Sequence, residues 1–145
     1  MSMSNSISQD ILAGWTVLVI DDEPDAAEVA KLLLEMYGAN VIVAKNGRAG
    51  VQQTIERRPR FVICDISMPE MNSWEFVEEL KNNRTTSDIP VVALTSHAMT
   101  GDREKALAKG FHNYLTKPLN PETFVSQLLT ILTVDIPELE QLLGS

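Results

Sequence analysis

The stretch TVLVIDDEPD, residues 16–25, joins a short apolar run to a row of acids and a proline. A run of this length, rich in Val, Leu and Ile, is typical of a strand buried on both faces, as in a parallel sheet. Pro24 suits the first turn of a helix, where a backbone N–H has no intrahelical partner. The stretch therefore predicts a strand over Thr16–Ile20 that leads directly into a helix, with Asp21 and Asp22 at the turn.

Three further apolar runs stop in the same way at a polar residue, and these residues are Asp65, Thr95 and Lys117. If the runs are parallel strands of one sheet, all four endings lie on the same edge, where open α/β sheets bind their ligands. Three carboxylates, a hydroxyl and an ammonium then share one crevice. We expect an acidic, metal-dependent phosphoryl site there.

The rest of the chain alternates between short apolar runs and segments with helical spacing. The predicted strands are Thr16–Ile20, Asn40–Ala44, Arg60–Cys64, Pro90–Leu94 and Asn113–Leu115. The predicted helices begin at Pro24, near Asn46, near Asn72, at Thr100 and after Asn120. Five strands alternating with five helices predict an α/β fold with a parallel sheet and right-handed crossovers.

Helical spacing also predicts which residues each helix buries. The expected inward residues of the first helix are Ala26, Val29, Ala30, Leu33 and Met36. Those of the second and third helices are Val51, Thr54, Ile55, Phe76, Val77 and Leu80. Those of the fifth helix are Phe124, Leu128, Leu129 and Leu132.

The composition of the chain limits the classes of function that it can have. A length of 145 residues fits one domain, which we expect over residues 14–133, between a flexible arm (1–13) and a short tail (134–145) that has room for one helix. The net charge of −8 argues against a nucleic-acid-binding surface. No segment reaches the ~18 apolar residues of a membrane span, and the polar N-terminus lacks the order of a signal peptide. We expect a cytoplasmic protein, with its single cysteine, Cys64, buried in a strand.

The acidic residues leave two interpretations open when they are taken alone. Asp21 and Asp22 could cap the helix that follows them, or they could hold a hard cation such as Mg²⁺, which takes oxygen ligands. Asp65 favours the second, because a carboxylate at a strand end can act as a nucleophile toward phosphorus. Lys117 and Thr95 then offer a charge and a hydroxyl to the phosphoryl oxygens.

The order of these strand endings resembles that of the response-regulator receiver domains of two-component signalling. The resemblance runs from Trp15 to Leu132 and depends on the motifs VLVIDDEPD, FVICDISMPEMNSWEF, PVVALTSHAM and GFHNYLTKPLN. It implies a flavodoxin-like, doubly wound, five-stranded parallel sheet in the order 2-1-3-4-5 with five helices.

The resemblance also implies a role for each matching residue. Asp65 is expected to accept a phosphoryl group from a sensor histidine kinase or a histidine phosphotransferase. Mg²⁺ is expected on Asp21, Asp22 and Asp65 and on the backbone carbonyl of Ser67. Lys117 and Thr95 are expected to contact the phosphoryl oxygens, and the Lys117–Pro118 bond resembles the cis peptide common in the family.

Thr95 and Tyr114 resemble the family's switch pair, in which phosphorylation draws in the hydroxyl and the aromatic ring follows. The surface formed by the fourth predicted helix, the fifth strand and the fifth predicted helix is then expected to bind a downstream protein effector. We expect a monomer or weak dimer that contacts neither nucleic acid nor membrane directly.

Some positions depart from the family pattern or have open roles. Ser73 stands where many receivers have glycine, so it would be strained if its backbone needed a positive φ. By the same resemblance, Ser67 and His97 occupy positions that tune the lifetime of the phosphoryl group in the family. His112 is expected at the surface.

We expect a stand-alone, phosphorylation-dependent switch that is not an enzyme beyond reaction with small phosphodonors and its own dephosphorylation. A constitutive interaction module on the same fold, or the receiver portion of a larger hybrid kinase, are the alternatives. A haloacid-dehalogenase-type phosphatase would want a second acid at position 67, which is Ser67 here. A dinucleotide site would want a glycine-rich loop after the first strand, which the chain lacks.

Overall fold

The computed structural model describes residues 10–65, 73–95, 104, 107–108, 110–116 and 119–139, with only the backbone at residues 73 and 74. The strands are β1 (Thr16–Ile20), β2 (Asn40–Ala44), β3 (Phe61–Asp65), β4 (Val91–Thr95) and β5 (Asn113–Thr116). The helices are α1 (Pro24–Glu35), α2 (Gly47–Arg57), α3 (Ser73–Lys81) and α4 (Phe124–Leu132).

All five strands are parallel and lie in the order β2-β1-β3-β4-β5, so the predicted fold class is confirmed. Each strand lies within one residue of its predicted bounds. Strands β3 and β4 are buried at every position, because helices cover both faces of the sheet.

The described part of the chain contains four helices, whereas the sequence predicts five. The fourth predicted helix is not counted among them, because most of it lies outside the described residues. Glu104, Leu107 and Ala108 have helical backbone, and Gly110 follows with a φ of 116°, as expected of a residue that ends a helix. Ser73 is the first residue of α3, and the helical backbone there requires no positive φ.

Alternate residues of the central strands point into two separate hydrophobic layers. On one face, Val17, Val19 and Phe61 pack with α1 and α4. On the other, Leu18 and Ile20 pack with α3, and this layer includes Cys64, which is buried as predicted. The predicted inward residues of the third and fifth predicted helices, which are α3 and α4, are all buried.

The predicted faces of the first two helices need correction. Ala30 and Leu33 are buried as predicted, and α1 also buries Ala27 and Leu34. Val29 and Met36, the residue after the helix, are 43% and 67% exposed, and Ala26 is half-buried. In α2, Ile55 is 46% exposed, whereas Thr54 is fully buried and its hydroxyl donates to the Gly50 carbonyl at 2.7 Å. The first helix has apolar residues on most of its circumference, so its spacing is compatible with more than one buried face.

The folded unit extends beyond both expected domain boundaries. Ile11 and Leu12, which the sequence places in the flexible arm, are buried, and the Leu12 N–H donates to the Tyr37 carbonyl at 2.9 Å. Ile136 and Leu139, which the sequence places in the tail, are buried in the same layer. Two short flanking segments therefore complete the core beside α1 and α4.

The C-terminal segment is also tied to the sheet by a charged contact. The Arg60 guanidinium lies 4.0 Å from the centre of the Trp15 ring and pairs with the Glu138 carboxylate. Among the described residues, no helix is both long and apolar enough to span a bilayer.

Candidate functional site

Three acids meet at the carboxyl edge of the sheet. Asp21, Asp22 and Asp65 each offer a carboxylate oxygen, and these oxygens lie within 4.8 Å of one another. Asp21 and Asp65 are 3% and 1% exposed, whereas Asp22 is exposed. Two of the three carboxylates are therefore buried, and the cluster faces solvent at Asp22.

The pairing of β1 with β3 brings the acids together. Ile20 is the register partner of Cys64. The next residues on the two strand paths, Asp21 after β1 and Asp65 at the end of β3, therefore lie side by side. The two acids are more than forty positions apart in the sequence, and only the parallel crossover unites them.

The backbone around Asp21 holds its carboxylate in place. The Asp21 N–H donates to the Ala44 carbonyl at the end of β2 at 3.1 Å, and the Asp21 Oδ1 accepts the Glu23 N–H at 2.9 Å. The N-cap of α1 is Glu23 and neither Asp21 nor Asp22, and the Glu23 side chain makes no capping hydrogen bond. The geometry of the acids thus favours the cation-binding interpretation over simple helix capping.

The donor set of the cluster fits a hard divalent cation. Three carboxylates this close repel one another, and the N-terminus of α1 relieves only part of the repulsion. Mg²⁺ prefers one or two carboxylates together with waters and phosphate oxygens, and the exposed side at Asp22 leaves room for such further ligands. Asp21, Asp22 and Asp65 are the residues that could hold it.

Two of the other predicted site residues lie on the neighbouring strands. Thr95 ends β4 and is buried, one position beyond Leu94, the register partner of Asp65. Tyr114 lies in β5, is half-buried and packs against the hydrophobic layer on the α3 side of the sheet. A cavity of about 410 Å³ lies between β5 and α4, and Tyr114, Thr116 and Phe124 are among its lining residues.

Four residues singled out from the sequence lie outside the described part of the chain. They are Ser67, His97, Lys117 and Pro118. Their roles in metal binding, phosphoryl lifetime and charge neutralisation stay predictions.

The structure corrects the expected position of His112. Its side chain is half-buried and contacts both Lys81 and the backbone of Val91. Sequence reasoning missed this contact because Lys81 and His112 are thirty-one positions apart and no local pattern links them.

Comparison with known proteins agrees with this geometry. The family model of the response regulator receiver domain matches residues 17–129. An uncharacterized 14.6 kDa protein from the sodA1 3′ region of Leptolyngbya boryana is 36% identical over 110 residues, which cover 76% of this chain and 84% of that protein. Protein PilH of Pseudomonas aeruginosa is 32% identical over 116 residues, which cover 80% of this chain and 96% of that protein.

Solved structures show the same fold. Chemotaxis protein CheY4 of Vibrio cholerae superposes with a TM-score of 0.77 at 28% identity, covering 83% of this chain and 100% of that one. Other curated relatives are longer, and this chain spans about half of their length.

Proposed function

The chain belongs to the family of response regulator receiver domains, and from that premise we propose that it is a phosphorylation-dependent signalling switch with Asp65 as its phosphoacceptor. The convergence of Asp21, Asp22 and Asp65 at the carboxyl edge of the sheet carries this proposal. Receiver domains of this type are signalling switches that work with histidine kinases and downstream effectors.

The proposed chemistry is a phosphoryl transfer to the Asp65 carboxylate. A carboxylate oxygen of Asp65 forms a bond to phosphorus as the bond from phosphorus to the donor's imidazole nitrogen breaks. The electron pair of that bond goes to the nitrogen of a ring that is protonated at its other nitrogen, which leaves an acyl phosphate and a neutral imidazole. Mg²⁺, held by Asp21, Asp22 and Asp65, would neutralise the charge of the transferring oxygens when it is bound.

The neighbouring residues are suited to holding and sensing the new phosphate. Thr95 ends β4, the strand next to the one that ends at Asp65, and its hydroxyl can donate to a phosphoryl oxygen. Lys117 follows β5, the strand paired with β4, and would supply the opposite charge. Movement of the Thr95 hydroxyl would then bias the position of Tyr114, which is among the residues that line the cavity between β5 and α4.

We place the output on the surface of the fourth predicted helix, β5 and α4, where a protein effector would bind. The donor would be a histidine kinase or a histidine phosphotransferase. Non-enzymatic action and a cytoplasmic location belong to the same proposal.

The test is phosphorylation of the purified chain by acetyl phosphate with Mg²⁺, followed by intact-mass measurement. We expect one added phosphoryl group on the wild type, none on Asp65→Asn, and none when EDTA removes the metal. Asp25→Asn changes an exposed acid in the first turn of α1, outside the cluster, and should be labelled like the wild type.

Absence of an adduct on the wild type, with acetyl phosphate and with histidine-kinase donors alike, would favour the constitutive interaction module. Retained labelling of Asp65→Asn would move the phosphoacceptor to another residue.

A further inference from the structure

A groove runs between α2 and α3, on the face of the sheet opposite α1 and α4. Two cavities of about 520 Å³ and 380 Å³ lie along it, and they share the lining residues Val51, Ile55 and Glu79. Because they have these residues in common, the two cavities form one continuous depression. Ile55 is nearly half exposed, and Val51 is half-buried against the hydrophobic layer beneath. The floor of the groove is therefore apolar and open to solvent.

The side chains along the groove repeat at every fourth residue. Val51 and Ile55 form one row on α2, and Glu75 and Glu79 form another on α3. The two helices run in the same direction, because each connects two neighbouring parallel strands of the chain. Rows with this spacing are the ridges between which the side chains of a further helix interdigitate. The groove thus has the geometry of a helix-binding surface.

Close packing beneath the groove holds its two walls in place. A Cβ on Gly50 of α2 would meet both Ile20 of β1 and Phe76 of α3, so the three elements touch at this point. Ile20 and Phe76 are fully buried, which leaves the walls little freedom to move apart. A surface that is already formed costs its ligand less ordering entropy than one that has to be arranged on binding.

The charged groups of the groove differ between its wall and its ends. Glu75 and Glu79 are exposed on the α3 wall, and neither forms an ion pair within the described part of the chain. Arg48 lines only the first cavity and Arg84 only the second, so these cations stand at opposite ends, and Glu79 lies between them. The α3 wall therefore favours a ligand that carries positive charge along one flank.

Two occupants from this protein itself fit the groove poorly. Ile11 and Leu139, near the two ends of the described chain, are buried in the layer on the other face of the sheet, so the terminal segments leave the fold on that side. A second copy would offer the exposed apolar residues of its α1, but that helix carries three acids and one lysine. Its acids would face those of α3, and like charges repel.

We propose that the groove between α2 and α3 binds an amphipathic helix of another protein, one with apolar side chains at a four-residue spacing and basic side chains along one flank. The apolar side chains would cover Val51 and Ile55, and the basic ones would face Glu75 and Glu79. The proposal goes beyond the switch function. It stands whether or not Asp65 accepts a phosphoryl group, because the groove contains no residue of the acidic cluster.

The test uses a synthetic alanine-based peptide of about 16 residues, since shorter isolated helices are marginal in water. It carries leucines at a four-residue spacing and lysines beside them, and a control peptide has glutamates in place of the lysines. Each is titrated into the isotope-labelled full chain by NMR, without a phosphodonor. We expect the lysine peptide to shift amide signals of α2 and α3 and to saturate below about 1 mM. The glutamate peptide should bind at least roughly tenfold more weakly.

Two pairs of variants, all at exposed positions, separate the groove from general attraction to an acidic protein. Ile55→Ser removes apolar contact area and should weaken binding of the lysine peptide roughly tenfold, whereas Leu32→Ser on α1 should bind like the wild type. Glu79→Gln removes a charge of the α3 wall and should weaken binding roughly threefold. Glu78→Gln removes the neighbouring charge, which does not line the groove, and should have little effect.

Several results would overturn the proposal. Equal weakening in Glu78→Gln and Glu79→Gln would reduce the binding to general electrostatic attraction, and shifts centred on α1 would move it to the other face of the sheet. No saturable binding of the lysine peptide at about 1 mM would leave the groove without its ligand. Groove signals that change when the chain alone is diluted would assign the groove to a second copy. Changes on deletion of residues 1–9 would assign it to that segment.

Discussion

A substitution at Asp21 is the most direct test of the electrostatic repulsion within the acidic cluster. Its carboxylate is buried beside two others, yet one of its oxygens accepts the Glu23 N–H. An asparagine can keep that hydrogen bond through its amide oxygen while it removes one of the repelling charges.

We therefore predict that Asp21→Asn stabilises the metal-free protein and weakens its response to Mg²⁺. The expected gain without metal is on the order of 1 kcal/mol, because like charges a few ångströms apart repel even when partly screened. Wild-type stability should rise with Mg²⁺ concentration, since an ion that binds only the folded state stabilises it. Urea unfolding of both proteins, with Mg²⁺ and with EDTA, measures the two effects. A variant that is less stable than the wild type in EDTA would show that repulsion does not dominate at this position.

At the scale of elements, α2 packs so closely on β1 that a side chain at position 50 would overlap Ile20. A Cβ built on Gly50 would lie 2.4 Å from the Ile20 Cδ1 and 3.1 Å from the Phe76 Cε1. Ile20 and Phe76 are both fully buried, so neither can move aside without disturbing its own neighbours.

Gly50→Ala should therefore destabilise the fold by about 1–3 kcal/mol, the usual cost of overpacking, although alanine is the better helix former. Removing the Ile20 Cδ1 should relieve the clash, so Gly50→Ala combined with Ile20→Val should lose less than the sum of the two single losses. A double-mutant cycle measured by urea unfolding checks this. Strict additivity would show that α2 simply moves away from the sheet.

Three large apolar side chains along and just after α1 are exposed because of how this helix packs on the sheet. Val29, Leu32 and Met36 are large apolar residues at helical spacing, yet they face outward. The inward face of α1 is set by the β1 and β2 residues that it packs against, because small residues such as Ala27 and Ala30 allow close approach to the sheet. Local spacing contains no information about that approach.

For the whole molecule, the core includes segments on both sides of the region 14–133. Leu139 is fully buried beside α4, whereas the neighbouring Glu138 makes an exposed ion pair with Arg60. The two adjacent residues thus allow core packing to be compared with a surface charge contact.

We predict that Leu139→Ala costs about 2–4 kcal/mol of unfolding free energy, as expected for a large buried side chain. Glu138→Gln is the matched control and should cost less than about 1 kcal/mol, because exposed ion pairs contribute little. Urea unfolding followed by tryptophan fluorescence measures both variants. If both variants lost an equal and small amount of unfolding free energy, residues 134–145 would be the loose tail that the sequence predicts.

Much of the fold and of the acidic site was predictable from the sequence. The strands are short apolar runs with polar ends, and the parallel rule places those ends on one edge, so Asp21, Asp22 and Asp65 could be brought together without coordinates. Strand bounds needed only shifts of one residue, because burial on both faces leaves a continuous apolar signal.

Only the tertiary structure decided the features that depend on contacts between distant segments. These are the buried face of α1, the exposure of Asp22 beside the buried Asp21, the inclusion of Leu12 and Leu139 in the core, and the contact of His112 with Lys81 and Val91. Periodicity and strand order are local properties that the chain carries in each segment. Which surface a segment meets, and how deeply a side chain is buried there, depends on the packing of all segments at once.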